Sequence, residues 1–296
     1  MYSIGAYLDY LFSSHTRYWE VISSTSFLFL TLSTVLISAG GYIINDYFDV
    51  EIDQVNRPEK VVVGKIISKQ QAINLYGFVN ILGLLFMSFS VYKTHFYLGI
   101  VIAFFWIVIL WIYSSKLKKS FLLGNIVVAF CIGLVPFLVG QYFQHYYNNA
   151  ALLNTYPFDN ISLYPTKIGV GFGFFAFFSN LLREIVKDME DAKGDQQAKA
   201  QTIPIVLGMS KTKNLSLVLW LVMLVFFMLF FVFTYDYIVD FNAFWLLVLS
   251  FVFLLYSGFM LLSKTTKSNL QKVSLGLKLS MIFGLILPLF WLLKLM

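Results

Sequence analysis

Long apolar runs recur along the chain and are separated by shorter polar stretches. Transmembrane β-strands would be shorter and would alternate in polarity, which these runs do not. A helix needs about 20 mostly apolar residues to cross a bilayer. The runs predict an all-α fold, a multi-span transmembrane helical bundle with about eight spans. The predicted spans are residues 22–44, 72–92, 95–115, 120–143, 167–186, 215–235, 243–263 and 274–294.

The overall composition agrees with a membrane protein. Of the 296 residues, 59% are hydrophobic and only 12% are charged, about half the charged fraction of a soluble domain. A disordered chain would instead be poor in apolar residues and rich in charge. These figures exclude an ordinary soluble domain and a disordered chain. The net charge of +6 does not indicate a nucleic-acid partner, because its distribution along the chain is that of a membrane protein.

Basic residues are concentrated on one side of the predicted membrane. Connections 45–71, 116–119, 187–214 and 264–273, with the adjoining helix ends, hold 17 of the 21 Lys and Arg residues. The positive-inside rule makes that side cytoplasmic. We therefore expect a multi-pass integral protein of the cell or inner membrane, with both chain ends on the outer side.

Two matching acidic motifs lie on the predicted cytoplasmic side. One follows the first span and the other follows the fifth, and both read D-x-x-D-x-x-x-D. Spacings of three and four residues put the carboxylates of each motif on one helix face. The corresponding positions suggest that one domain, residues 1–296, consists of two pseudo-repeated halves, 22–143 and 167–296. The aspartates are Asp46, Asp49 and Asp53 in the first motif, and Asp188, Asp191 and Asp195 in the second.

A row of three carboxylates at the end of an apolar span is self-repelling and costly to desolvate. Divalent cations would neutralise it, and carboxylate oxygens suit hard ions such as Mg²⁺. Protein-bound Mg²⁺ typically bridges carboxylates to substrate phosphates. The six aspartates therefore predict a Mg²⁺ site that binds a diphosphate. The alternative is that the two motifs are solvated helix ends whose acids pair with nearby lysines. This alternative explains the match between the two motifs less well.

Basic and amide side chains flank both motifs. Arg57 and Lys60 follow the first motif, and Arg183 and Lys187 precede the second. Arginine offers a planar fork for phosphate oxygens and lysine a point charge, so these residues are expected to bind the diphosphate. The positive-inside bias alone would also place basic residues here. It explains Arg183 less well, because Arg183 lies inside the end of a span. Asn45 is expected to orient a carboxylate or bind a phosphate oxygen, or alternatively to cap a helix.

These motifs together resemble a known family. Residues 45–58 (NDYFDVEIDQVNRP), with the second acidic motif in the other half, resemble the UbiA superfamily of intramembrane prenyltransferases. Residues 183–195 (REIVKDMEDAKGD), followed by TIP at 202–204, are most similar to its digeranylgeranylglyceryl phosphate synthase group, the geranylgeranylglycerol-phosphate geranylgeranyltransferases. Residues 113–118 (YSSKLK), followed by Gly124-Asn125, fit the same group.

The resemblance implies an activity and a mechanism. Such enzymes bind a prenyl diphosphate through Mg²⁺ on both acidic motifs, ionise it to an allylic cation and transfer the prenyl group to a membrane-associated acceptor. The implied reaction is geranylgeranyl transfer to geranylgeranylglyceryl phosphate. Asp46, Asp49, Asp191 and Asp195 are expected to be catalytic as well as metal-binding.

Candidates for binding the acceptor lie on the same predicted side of the membrane. They are Tyr113, Lys116 and Lys118. The two lysines would hold the phosphate of a glycerol phosphate lipid. A role in setting the orientation of the chain in the membrane explains these lysines equally well.

The sequence also departs from the family pattern. Residues 57–64 keep Lys60 and Gly64 but lack the later prolines of the family's loop. The family typically has nine spans, whereas eight are evident here. The missing span is the first, and residues 1–12 resemble its remaining tail. We therefore expect either a late start of the chain or a truncated family member.

Three other functions stay open from the sequence. The acceptor could be an aromatic quinone precursor, the protein could be a truncated and inactive binder of prenyl diphosphates, or it could be a divalent-cation transporter. A transporter should place acidic residues near the middle of the bilayer. The middles of these spans contain essentially no acids, which favours an enzyme.

Overall fold

A computed structural model describes the backbone of residues 25–56, 59, 61–152, 164–197, 199–234 and 241–293. In these residues the regular structure is helical, with no β-strand beyond an isolated bridge between Val63 and Ile67. The α-helices are α1 (Thr25–Asn56), α2 (Lys69–Thr94), α3 (Leu98–Ser115), α4 (Leu123–Leu152), α5 (Tyr164–Gln197), α6 (Ile203–Leu207), α7 (Met209–Thr234), α8 (Phe241–Leu262) and α9 (Lys267–Leu293). A short 3₁₀ helix, Leu117–Lys119, joins α3 to α4.

Within the described part of the chain, seven helices are long and apolar enough to cross a membrane. They are α1 to α5, α7 and α8, and they match the first seven predicted spans. The eighth prediction, 274–294, lies largely in α9, whose side chains are described as far as residue 286. The predicted all-α membrane bundle is therefore confirmed. Residues 1–12, the predicted remnant of a further span, lie outside the described residues.

Helices α1 and α5 carry the acidic motifs beyond their apolar segments. α1 has 32 residues and α5 has 34, so each continues well past the predicted span ends at residues 44 and 186. Each motif is thus presented on a continuous helix, as its spacing predicts. The alternative interpretation of Asn45 as a helix cap is wrong, because Asn45 lies inside α1.

The connection after α1 packs back against the first motif's helix. Gly64 has a φ of 87°, a left-handed conformation that suits a residue without Cβ, and its N–H donates to the Ile67 carbonyl at 2.7 Å. Val63 then lies against Val50 of α1 in a small buried cluster. Ser68 caps α2 by accepting a hydrogen bond from the Gln71 N–H at 3.1 Å.

Two large apolar cores fill the bundle. One is formed by buried residues between positions 30 and 142, including Met87 and Trp106. The other is formed by buried residues between positions 182 and 277, including Met223 and Leu254. Separate cores are compatible with two pseudo-repeated halves, which stay a prediction.

Helices α4 and α5 join these cores through backbone contact. A Cβ added to Gly173 of α5 would lie 2.6 Å from the carbonyl oxygen of Gly133 in α4. A Cβ added to Gly169 would lie 2.8 Å from the Pro136 carbonyl oxygen. Glycine permits such close packing between membrane helices. The seam between the two cores therefore has no room for side chains at these positions.

Candidate active site

The first acidic motif is centred on a buried carboxylate. Asp49 is only 3% exposed. Asn45, one turn earlier on α1, donates from Nδ2 to Asp49 Oδ2 at 2.7 Å. Lys118, from the 3₁₀ helix, forms an ion pair with the same Asp49 oxygen and donates to Asn45 Oδ1 at 3.2 Å. Asn45 thus orients a carboxylate, one of the two site roles expected of it.

Lys118 connects the two acidic motifs electrostatically. Besides its ion pair with Asp49, its ammonium interacts with Asp46 of the first motif and Asp195 of the second. Asp46 also interacts with its like-charged neighbours Asp49 and Asp53, as a carboxylate stripe should. The sequence suggested Lys118 only as an acceptor-binding residue. The structure places it on the carboxylates, and its acceptor role stays a prediction.

The second motif is held by amide and hydroxyl donors from neighbouring elements. Asn125, near the start of α4, donates from Nδ2 to Asp188 Oδ2 at 2.8 Å. Thr202, just before α6, donates to Asp195 Oδ2 at 3.1 Å. Asp195 also interacts electrostatically with Asp191 and Lys187. The three aspartates of this motif therefore lie close to one another, with Lys187 beside them.

Tyr113 lies between the two motifs. This partly buried side chain of α3 interacts electrostatically with Asp49 of the first motif and with Asp188 of the second. It also interacts with Glu184 and Arg183. Tyr113 and Lys118, only five positions apart in the sequence, are thus the residues around which the two motifs converge.

Arg183 is fixed within α5. Its Nη1 donates to Asn180 Oδ1 at 3.0 Å, and its Nη2 lies 3.1 Å from Glu184 Oε1. Asn180 and Glu184 are both buried. Arg183 therefore faces the bundle interior beside the second motif, as its place inside a span predicts.

Other predicted site residues are not brought into this cluster by any described contact. Arg57 and Lys60 lie outside the described residues. Lys116 is exposed, and no hydrogen bond joins it to another described side chain. Its proposed contact with an acceptor phosphate stays a prediction.

The donor set fits a hard divalent cation. Among the described residues, no three His, Cys, Asp or Glu side chains already converge as a complete metal site. The convergent oxygen donors are carboxylates, which such cations prefer. The buried Asp49 carboxylate already carries a cation, the Lys118 ammonium, so this position does require positive charge.

Several polar side chains near the aspartates were not among the site residues predicted from the sequence. Asn125 and Thr202 belong to sequence segments that carry the family resemblance, and each bonds to an aspartate of the second motif. Glu184 lies four residues before Asp188 and Asn180 four before Glu184. This helical spacing was the available signal that the polar face of α5 extends beyond the acidic motif.

Comparisons with known proteins place the chain in a family. The model of the UbiA prenyltransferase family matches residues 15–287. The digeranylgeranylglyceryl phosphate synthase of Saccharolobus solfataricus is 31% identical over 286 residues, covering 96% of this chain and 89% of that protein. The synthase of the same name from Methanosphaera stadtmanae is 26% identical over 275 residues, covering 92% and 88% respectively.

Two solved structures share the fold. A structure from work on digeranylgeranylglyceryl phosphate synthase in membranes superposes with a TM-score of 0.58 at 25% identity, covering 90% of this chain and 88% of that one. A UbiA homologue from Aeropyrum pernix K1 gives a TM-score of 0.66 at 13% identity, covering 92% and 90%, which supports the fold alone. With the family match spanning most of the chain, this protein belongs to the UbiA prenyltransferase family and is an integral membrane enzyme of prenyl transfer.

Proposed function

We propose that the protein transfers a geranylgeranyl group from geranylgeranyl diphosphate to geranylgeranylglyceryl phosphate, and that the reaction depends on Mg²⁺. The observation that carries this proposal is the convergence of two acidic motifs around Lys118 and Tyr113. The relatives named as digeranylgeranylglyceryl phosphate synthases support the choice of donor and acceptor. The transporter interpretation is not retained, since the chain belongs to an enzyme family.

The donor diphosphate would bind at the two motifs. The six aspartates Asp46, Asp49, Asp53, Asp188, Asp191 and Asp195 would hold Mg²⁺. The metal ions, when bound, neutralise the diphosphate and stabilise it as a leaving group. Asn45 fixes the orientation of Asp49 through its 2.7 Å hydrogen bond. Asn125 does the same for Asp188.

Positive side chains would complete the diphosphate site. Lys187 lies beside the second motif, and Lys118 lies between both motifs. Arg183 lies beside them, and Arg57 and Lys60 would act from the connection that follows α1. Fixed charges directed at a leaving group stabilise the charge that develops on it. Transfer to the acceptor would also require that water be kept from the allylic cation.

The acceptor would approach from the side of Tyr113. Its phosphate would bind at Lys116, which is exposed at the end of α3, and at Lys118. Its hydroxyl would then reach the cation next to the partly buried Tyr113 side chain, which lies beside both motifs.

A transfer assay tests the proposal directly. We expect purified protein in lipid, supplied with geranylgeranyl diphosphate and Mg²⁺, to convert geranylgeranylglyceryl phosphate into the doubly prenylated lipid. The same preparation is offered an aromatic acid as acceptor, and each reaction is repeated with EDTA. Product from the aromatic acceptor alone would contradict the lipid acceptor. Product that is unchanged in EDTA would contradict the metal requirement.

We further propose that the acidic motifs face the cytoplasm. The concentration of Lys and Arg at the same ends of the helices supports this orientation. Cys131 is the only cysteine and is buried, so engineered cysteines can be labelled against a low background.

Cysteines at two exposed positions test this orientation. Ile66 is 77% exposed near the first motif, and Tyr97 is 65% exposed at the other end of the bundle. In intact cells, a membrane-impermeant maleimide is expected to label Tyr97→Cys but not Ile66→Cys. The opposite labelling pattern would overturn the orientation. Labelling of both variants after permeabilisation is the control for accessibility.

A further inference from the structure

The polar face of α5 extends deeper into the membrane segment than the second acidic motif. Glu184 precedes Asp188 by four residues, so the two share a helix face. At 1.5 Å per residue, Glu184 lies about 6 Å further along the helix axis. It belongs to the apolar segment Gly169–Gln197. An ionisable side chain within such a segment is a candidate for function.

Glu184 has one engaged and one available carboxylate oxygen. The residue is 8% exposed, and its Oε1 lies 3.1 Å from Arg183 Nη2. Among the described residues, no hydrogen bond to Oε2 is found. The other Arg183 nitrogen, Nη1, is held by Asn180. The carboxylate is therefore oriented through one oxygen, and the second oxygen is available to accept a hydrogen bond or a proton.

The surroundings of Glu184 place it on the acceptor side of the site. Its charge interacts with Tyr113 and with Asp188. It therefore lies within electrostatic reach of the side chain that we assign to the acceptor, one turn before the motif that we assign to the diphosphate. In the proposed site the aspartates would bind the metal ions, and the described histidines, His95 and His145, lie near the opposite ends of their helices.

We propose that Glu184 is a catalytic residue that accepts the proton of the attacking acceptor hydroxyl, an inference that rests on the proposed lipid-alcohol acceptor. The acceptor oxygen forms a bond to C1 of the prenyl group. The bond from C1 to the diphosphate oxygen breaks, and its electron pair leaves with the diphosphate. The hydroxyl proton passes to Glu184 Oε2 and leaves to solvent with the products.

A purely structural role for Glu184, as the counterion of Arg183, makes a different prediction. Loss of the counterion would disturb Arg183 and would weaken transfer to every acceptor equally. A general base matters only where the acceptor needs to lose a proton that it holds tightly. A thiol has a pKa near 8.5 and ionises far more readily than an alcohol. Comparing an alcohol with a thiol acceptor therefore separates the two roles.

The test compares Glu184→Gln with Glu190→Gln on the same helix. Glu190 accepts a hydrogen bond from Gln271 at 2.9 Å and is outside the proposed site. With the natural alcohol acceptor, we expect Glu184→Gln to lower kcat about 10²- to 10⁴-fold, the usual contribution of a general base. With the thiol analogue the loss should be less than about tenfold, because the base is then needed little. Glu190→Gln should stay within about twofold of the wild type with both acceptors.

Binding of the donor is measured alongside transfer. We expect Glu184→Gln to bind geranylgeranyl diphosphate with Mg²⁺ as tightly as the wild type. Equal losses with alcohol and thiol, or loss of donor binding in a folded variant, would overturn the assignment. If Glu184→Gln does not fold, Glu184→Asp, which keeps the base, is used instead, and a larger loss with the alcohol than with the thiol is again expected. A wild-type protein that uses neither lipid acceptor would instead overturn the proposed function.

Discussion

Replacing Asp49 or Asp191 by asparagine is expected to lower prenyl transfer at least about a hundredfold, while leaving the bundle folded. Asparagine has nearly the same shape as aspartate but carries no charge, so it is a much weaker ligand for a hard cation. Asp49 is the buried centre of the first motif, and Asp191 interacts with Asp195 in the second. Transfer rates with Mg²⁺, and thermal unfolding of the same preparations, measure both parts of this expectation.

Matched controls are available on the same two helices. Glu51 is exposed on α1, two residues after Asp49, and Glu190 precedes Asp191 on α5. Glu51→Gln and Glu190→Gln remove the same charge outside the proposed site, and we expect near-wild-type transfer from both. Retained activity in both aspartate variants would refute the metal assignment.

Replacing Lys118 by methionine is expected to lower both activity and metal-free stability. Transfer should fall about a hundredfold, because a positive charge between the two motifs is lost. Breaking a fully buried ion pair costs about 3–5 kcal/mol. The cost here should be smaller, because the Lys118 side chain is 33% exposed although that of Asp49 is only 4% exposed. Thermal unfolding with and without Mg²⁺ measures the stability change.

Mg²⁺ should raise the unfolding temperature of this variant more than that of the wild type. In the wild type a bound cation must share Asp49 with the ammonium, whereas in the variant it alone neutralises the buried carboxylate. Lys211→Met, at an exposed position near the start of α7, is the control and should behave as the wild type. A Lys118→Met protein with wild-type stability and activity would contradict the role that we assign to its ion pair.

The fold was predictable because its determinants are local in the sequence. A membrane span requires only a sufficiently long apolar segment, and each of the seven confirmed spans has one. The helical spacing of the aspartates likewise predicted one stripe for each motif. What the apolar pattern missed was that α1 and α5 continue through these motifs to Asn56 and Gln197. The apolar segment ends where the charged residues begin, but the helix continues through them.

The contacts across the site were not predictable in this way. Lys118 and Asp49 are 69 residues apart, and Asn125 and Asp188 are 63 apart. No periodicity relates such positions, because their proximity depends on how whole helices pack. From the sequence, Lys118 was therefore a candidate only for binding the acceptor or for setting the topology, and its contact with the buried Asp49 carboxylate came from the structure. Glu184 was likewise not predicted as a site residue, because it lies outside the repeated aspartate pattern.

The close glycine contact between α4 and α5 aligns two helices that contribute to the candidate site. Asn125 is carried by α4 and Asp188 by α5, and their hydrogen bond measures 2.8 Å. Hydrogen bonds tolerate displacements of only a few tenths of an ångström before they weaken. At Gly133 and Gly173 the two backbones already touch, so even a methyl group would spread the helices by more than that tolerance. The geometry of the second motif thus depends on glycine positions that lie several helical turns from its aspartates.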